Sequence, residues 1–147
     1  MTLDAKLALS GQSINVATAT QSFELLTDGQ SAGRQIAVGG GTFFVNVTTG
    51  SSDASIDPVN FDLCYSLDNG TNLGVICTVT DETSSAGVAT GIYAKNFGPM
   101  DLRVDRTGLT LASLKLYVRY RGAAAGTGSI VISAYIGDRS ALGVERT

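Results

Sequence analysis

The clearest alternation of apolar and polar positions lies between Ser113 and Ile136. In Ser113–Arg121, the residues Leu114, Leu116, Val118 and Tyr120 interleave with Lys115, Tyr117, Arg119 and Arg121, the period-two pattern of a strand with one dry face. After a loop from Gly122 to Gly128, Ser129–Ile136 repeats it with Ile130, Ile132, Ala134 and Ile136 on the apolar side. Both runs are rich in the β-branched and aromatic residues that strands favour. Two such strands do not hold together alone in water, so the rest of the chain must supply more to cover their apolar face.

Earlier stretches do so. Thr42–Thr48 puts Phe43, Val45 and Val47 on one face, and Val59–Leu67 puts Val59, Phe61, Leu63, Tyr65 and Leu67 inward with Asn60, Asp62, Cys64 and Ser66 outward. Asp68–Asn72 reads as a turn, its Asn69-Gly70 pair tolerating positive φ, and Leu73–Thr80 returns. Pairing Leu67 with Leu73 also sets Tyr65 by Val75, Leu63 by Cys77 and Phe61 by Val79, all apolar; a one-residue slip brings Thr78 and Thr80 to the dry side. Weaker strand signals lie at Ile14–Thr18, Ser22–Leu26 and Val88–Lys95. Residues 28–41 read as a glycine-rich loop, and 96–110 as a long connection carrying Asp101, Arg103, Asp105 and Arg106. Thr2–Ser10 reads either as two helical turns, capped by Thr2 and stopped at Gly11, or as a flexible arm.

About eight strands and no helical period after residue 10 predict an all-β chain, a sandwich or Greek-key barrel. The expected layout is an N-terminal arm or helix over 1–12, a β-sandwich over 13–137 and a polar C-terminal tail over 138–147.

At 147 residues the chain suits one domain, long enough to bury roughly 68–70% of its unfolded surface without staples. Its 44% hydrophobic content argues against disorder. A net charge of −3 and a pI near 4.7 give no overall field for holding nucleic acid. The charge is uneven: residues 1–90 hold nine acids and two bases, residues 91–147 eight bases and four acids. No apolar run approaches the ~20 residues of a membrane span. The opening residues, with an early acid and a broken apolar run, do not read as a signal peptide, so the expected setting is one without secretion. In the preferred register Cys77 faces inward and Cys64 the other way, which predicts two free thiols and fits a reducing compartment.

Gly29-Gln30-Ser31-Ala32-Gly33 matches the G-x-S-x-G of a nucleophile elbow, but the chain has no histidine to take the serine proton and no following helical pattern. Absent histidine also removes Cys-His nucleophile pairs and histidine metal triads, and two cysteines do not make a Cys-only zinc site. Asp57, Asp62, Asp68, Asp81 and Glu82 are nominal carboxylates for glycoside chemistry, with no spacing that singles out a pair. Asp53 to Asp57 lacks the regular oxygen spacing of a calcium loop. Gly39–Gly41 and Gly122–Gly128 are turn chemistry rather than phosphate cradles. The sequons at Asn46 and Asn69 carry little weight without an export signal. No catalytic, cofactor or metal set is therefore expected. The surface feature that stands out is the row Lys115, Tyr117, Arg119 and Arg121, a basic stripe with an aromatic in it, suited to an acidic protein surface. The competing reading is a solvated face whose charges discourage edge pairing.

Several segments, in order, resemble those of the jelly-roll capsid cement, or decoration, proteins of tailed bacteriophages, the Bordetella-phage cement protein family in particular. They are Leu3-Asp4 with Leu9-Ser10-Gly11-Gln12, Thr18-Ala19-Thr20, the glycine-rich step into Phe43-Phe44-Val45, Leu116-Tyr117-Val118-Arg119-Tyr120, and Asp138-Arg139 near the end. The likeness spans nearly the whole chain. It implies a non-enzymatic jelly roll on the exterior of an icosahedral virion, assembled in the host bacterial cytoplasm, that bridges major capsid protein subunits and acts as a homo-oligomer, dimer or trimer. It implies no cofactor, no direct nucleic-acid contact and no membrane. Two other functions share the strand pattern: a phage head-tail or tail adaptor, and a carbohydrate-binding β-sandwich module. The last would use an aromatic platform, for which Tyr93, Tyr117 and Tyr135 are available.

Overall fold

The alternating stretches fold as strands in a computed structural model that describes residues 3–25, 40–66, 68, 70–80, 86–98 and 115–137. Eight strands are seen among them: β1 (Leu3–Asn15), β2 (Thr20–Glu24), β3 (Gly41–Thr49), β4 (Asn60–Ser66), β5 (Gly74–Thr80), β6 (Gly91–Phe97), β7 (Lys115–Arg121) and β8 (Ser129–Gly137). They make two four-stranded sheets, ordered β1-β8-β3-β6 and β2-β7-β4-β5, with every neighbouring pair antiparallel. Four of those pairs, β1 with β8, β2 with β7, β3 with β6 and β4 with β5, have labels that add to nine. The chain is thus doubled back at the β4–β5 turn into one long ribbon, and the ribbon is rolled so that β8 also meets β3 and β7 also meets β4. This is the jelly roll, an all-β sandwich.

The two strands with the strongest sequence pattern, β7 and β8, do not pair with each other. The link between them crosses from one sheet to the other, and each strand sits at an interior position of its own sheet. Their dry faces look toward one another: Leu116, Val118 and Tyr120 from one side and Ile130, Ile132, Ala134 and Ile136 from the other are all buried. Ile14, Phe43, Val45, Val47, Phe61 and Leu63 complete a continuous core. Each fully buried aliphatic or aromatic side chain contributes roughly 1.5–3 kcal/mol.

Three expectations need correction. Residues 3–12 are neither helix nor arm: β1 begins at Leu3 and pairs with β8 from Leu3↔Gly137 onward. A nine-residue helix has a costly nucleus to form, while the open edge of β8 offers a full row of backbone partners. The pairing is irregular, shifting between Leu3 and Ala8 and again between Leu9 and Gln12. Second, the β4–β5 register begins as expected, with Phe61↔Val79 and Leu63↔Cys77, then shifts so that Cys64 faces Val75 and Tyr65 faces Gly74. Ile76 is the extra residue of this bulge. Tyr65 lies flat over Gly74, where a Cβ would stand 2.6 Å from its ring, and Val75 is turned to the outer surface, 49% exposed. Third, the outward side of β4 is not solvated: Asp62, Cys64 and Ser66 are all buried.

Residues 28–39 of the glycine-rich loop, with the G-x-S-x-G match, lie outside the described residues, as do the charged residues Asp101 to Arg106 and the tail 138–147, while Gly41 opens β3.

Both thiols are free. Burial pushes Cys64 up to about 11 and Cys77 up to about 12. With so little thiolate at mild alkaline pH, iodoacetamide is expected to label the native protein at least tenfold more slowly than the urea-unfolded chain, as followed by mass spectrometry. Equal rates would mean that the hairpin does not bury these sulfurs.

Among the described residues, one buried side-chain polar atom has no hydrogen-bond partner: the Tyr120 hydroxyl, enclosed beside Gly122. An unsatisfied buried donor costs about 1–3 kcal/mol, and the ring itself is packed at 6.0 Å from Phe61. Tyr120→Phe is therefore expected to raise stability by about 1 kcal/mol in urea titration; a loss of that size would reveal a partner for the hydroxyl.

Candidate functional site

The outer face of the β2-β7-β4-β5 sheet carries the chemistry. Strand β7 alternates without a break, so Lys115, Tyr117, Arg119 and Arg121 project together from this face, each partly exposed, as the sequence predicts. The neighbouring strands decide what surrounds them. Register places Asp62 of β4 directly beside Arg119, Cys64 beside Tyr117, and Glu24 of β2 on the other side of Tyr117.

The stripe is therefore not an open row of cations. The Asp62 carboxylate, with no solvent exposure, sits between two guanidinium groups. Arg119 donates from Nε to Oδ2 at 2.9 Å, and its Nη2 lies 2.8 Å from the same oxygen as an ion pair. Arg121 donates from Nε to Oδ2 at 2.6 Å and from Nη2 to Oδ1 at 2.9 Å. Thr78 of β5 adds its hydroxyl to Oδ1 at 2.6 Å. Burial by itself pushes the Asp62 carboxyl up, but the hydrogen bonds from Arg121, Thr78 and Arg119 outweigh it, and the net shift is downward. Donating to Asp62 holds Arg121 more firmly cationic in turn.

Lys115 and Tyr117 are engaged differently. The Lys115 ammonium is 3.6 Å from Glu24, with both side chains well exposed, an ion pair of little energetic weight. Tyr117 reaches over the Asp68–Asn72 turn, and a Cβ at Gly70, whose φ is +90°, would stand 2.5 Å from its hydroxyl. That turn is built by Asp68, which accepts from the Ser66 hydroxyl, the Asn72 backbone and the Asn72 side chain; these bonds hold its carboxyl below the usual range. The face thus brings together three cations and three anions: Lys115, Arg119 and Arg121 with Glu24, Asp62 and Asp68.

The other carboxylates proposed from sequence are spent locally. Asp57 accepts the Gly87 backbone N–H, and Asp53 caps the short 3₁₀ turn Ala54–Ile56 through the Ser55 backbone and hydroxyl, which hold its carboxyl low. Asp57, Asp62 and Asp68 each serve a different element, while Asp81 and Glu82 lie outside the described residues. No group of three or more acid or cysteine side chains among the described residues is placed to hold a metal ion. No helix among them is long and apolar enough to cross a membrane.

The three tyrosines available for a sugar platform do not assemble. Tyr117 is on the face just described. Tyr135 stacks on Phe44 at 4.8 Å between centroids on the outer side of the other sheet, and Tyr93 packs against the core with its hydroxyl on the Ala89 carbonyl. Asp62 is the residue that sequence reasoning did not connect to the stripe, since nothing in the chain order announces that β4 lies beside β7. Comparison of the chain with protein-family models, with curated proteins and with solved structures found no match in any of the three.

Proposed function

We propose that this is a structural cement or decoration protein, binding the outside of a tailed-phage head and stabilising contacts between major capsid protein subunits. It works there as a homo-oligomer, dimer or trimer, on the virion exterior, after assembly in the bacterial cytoplasm. The observation that carries this reading is the row of Lys115, Tyr117, Arg119 and Arg121 on one interior strand of a jelly roll, held in place by its neighbours. A rigid strand presents side chains more precisely than a loop does, and charged residues at a protein interface set orientation and rate of docking. Weak contacts of this kind become strong when repeated over a symmetric shell. The dispersed tyrosines speak against a carbohydrate platform, and a head-tail or tail adaptor remains the second reading of the same face.

Co-sedimentation with empty expanded heads of the cognate phage tests the proposal. The protein is expected to pellet with heads at low salt, and less of it at high salt, because exposed charges are screened. Failure to pellet with heads at any salt would end it.

A further inference from the structure

We propose that Arg119, Asp62 and Arg121 form a prebuilt clamp for a single carboxylate side chain of a partner protein; this rests on the docking role above and supplies its chemistry. Each guanidinium has five N–H donors in a rigid plane. Arg121 donates from Nε and Nη2 to Asp62, Arg119 donates from Nε with its Nη2 in ion-pair contact, and neither Nη1 group has a partner among the described residues. Asp62 has no more to give: Oδ1 already accepts from Thr78 and Arg121, and Oδ2 from both arginines. The unspent donors are reachable, since the Arg119 side chain is 22% exposed and that of Arg121 43%.

Charge selects the partner. Two guanidinium cations over one buried carboxylate leave a net charge of one, which a single Asp or Glu side chain neutralises. A dianionic phosphate would exceed it, directly above the Asp62 charge. Glu24 and Asp68 on the same face repel a polyanion such as nucleic acid. Energetically, Asp62 has already fixed both long side chains, so much of the rotamer entropy that arginine loses on binding is lost on folding instead. Asp62 is here a positioning residue, and the arginines make the contact.

The test follows the guanidinium resonances of full-length protein labelled with ¹⁵N-arginine. It is titrated with N-acetyl-glutamate N-methylamide, with the glutamine analogue, and with sodium sulfate at matched ionic strength. The Arg119 and Arg121 signals are expected to shift saturably with the glutamate probe alone. Arg121→Lys, which keeps the charge and leaves Asp62 paired to Arg119, should weaken that response about tenfold with little change in melting temperature. Should that variant misfold, Arg119→Lys is read in the same way. No saturable shift, an equal response to the glutamine probe, or a sulfate response as strong as the carboxylate one would each overturn the clamp. The titration needs no capsid, which separates the two proposals. A saturable glutamate response from a protein that ignores heads would sink the cement role and support the clamp for another acidic partner. Unchanged head occupancy by a folded Arg121→Lys variant would sink the clamp alone.

Discussion

Asp62→Asn is expected to lower stability by about 3 kcal/mol, a fall of roughly 6–12 °C in Tm for a chain of this size. The substitution keeps the shape of the side chain and removes its charge. Arg119 and Arg121 then face each other across a neutral amide, which has one carbonyl oxygen to offer where two carboxylate oxygens now accept four hydrogen bonds. Breaking a buried ion pair from one side costs more than the pair contributes, because a desolvated charge is stranded. The partial exposure of both arginines places the effect at the low end of that range. Urea unfolding of Asp62→Asn against Asp62→Asn/Arg121→Gln separates the causes. Recovery of stability in the double variant identifies charge repulsion, and a further loss would show that lost hydrogen bonds dominate.

The same carboxylate sets an acid dependence. Its folded pKa lies below the ordinary value of 3.8, so the native state binds its proton less readily than the unfolded chain does. The stability it contributes is fully present above the ordinary value and is lost as pH falls through the depressed folded value. The wild type is therefore expected to weaken as pH drops below about 4, and Asp62→Asn to show a flatter profile there.

Gly87→Ala is expected to cost about 3 kcal/mol, through two causes that a control can separate. Gly87 has a φ of +77°, and a Cβ there would stand 2.1 Å from the Ser51 carbonyl oxygen, a backbone atom that cannot rotate away. Left-handed backbone costs an L-residue about 1–2 kcal/mol and overpacking about 1–3 kcal/mol. The position is held on both sides, by the Ser51↔Val88 bridge and by the Gly87 N–H on the Asp57 carboxylate. Gly11 has a similar φ of +61° with open space around it. Gly11→Ala should thus lose only about 1 kcal/mol. Equal losses at the two positions, measured by urea titration, would show that Gly87 is not crowded.

The dry faces were legible because alternation reports which side of a strand is covered, and β7 and β8 alternate without a break. Alternation points only to a sandwich or barrel, and it is the strand order that makes this one a jelly roll. What escaped was anything fixed by non-neighbouring strands. Residues 3–12 were misread because their partner, β8, lies more than a hundred positions away. The Ile76 bulge escaped because the hydrophobic pattern favours an unbroken register, whereas Tyr65 fits best over the bare backbone of Gly74. Asp62 looked like a solvated outward residue on β4 for the same reason: only the β4–β7 pairing sets it between two arginines. The four stripe residues were found together because they share one strand, but their charge balance was not, since the anions come from β2, β4 and the β4–β5 turn.

The rolled ribbon also dictates when this protein can fold. Interior places in both sheets belong to β7 and β8, so during synthesis β1 and β2 wait on the ribosome with no mate until the last described strands emerge. Only the β3–β6 and β4–β5 pairings can form before then. Zipping up must wait for the synthesis of β7 and β8, and with partners so far apart along the chain it should run slowly, in milliseconds to seconds, leaving nascent β1 and β2 in need of protection from other chains meanwhile.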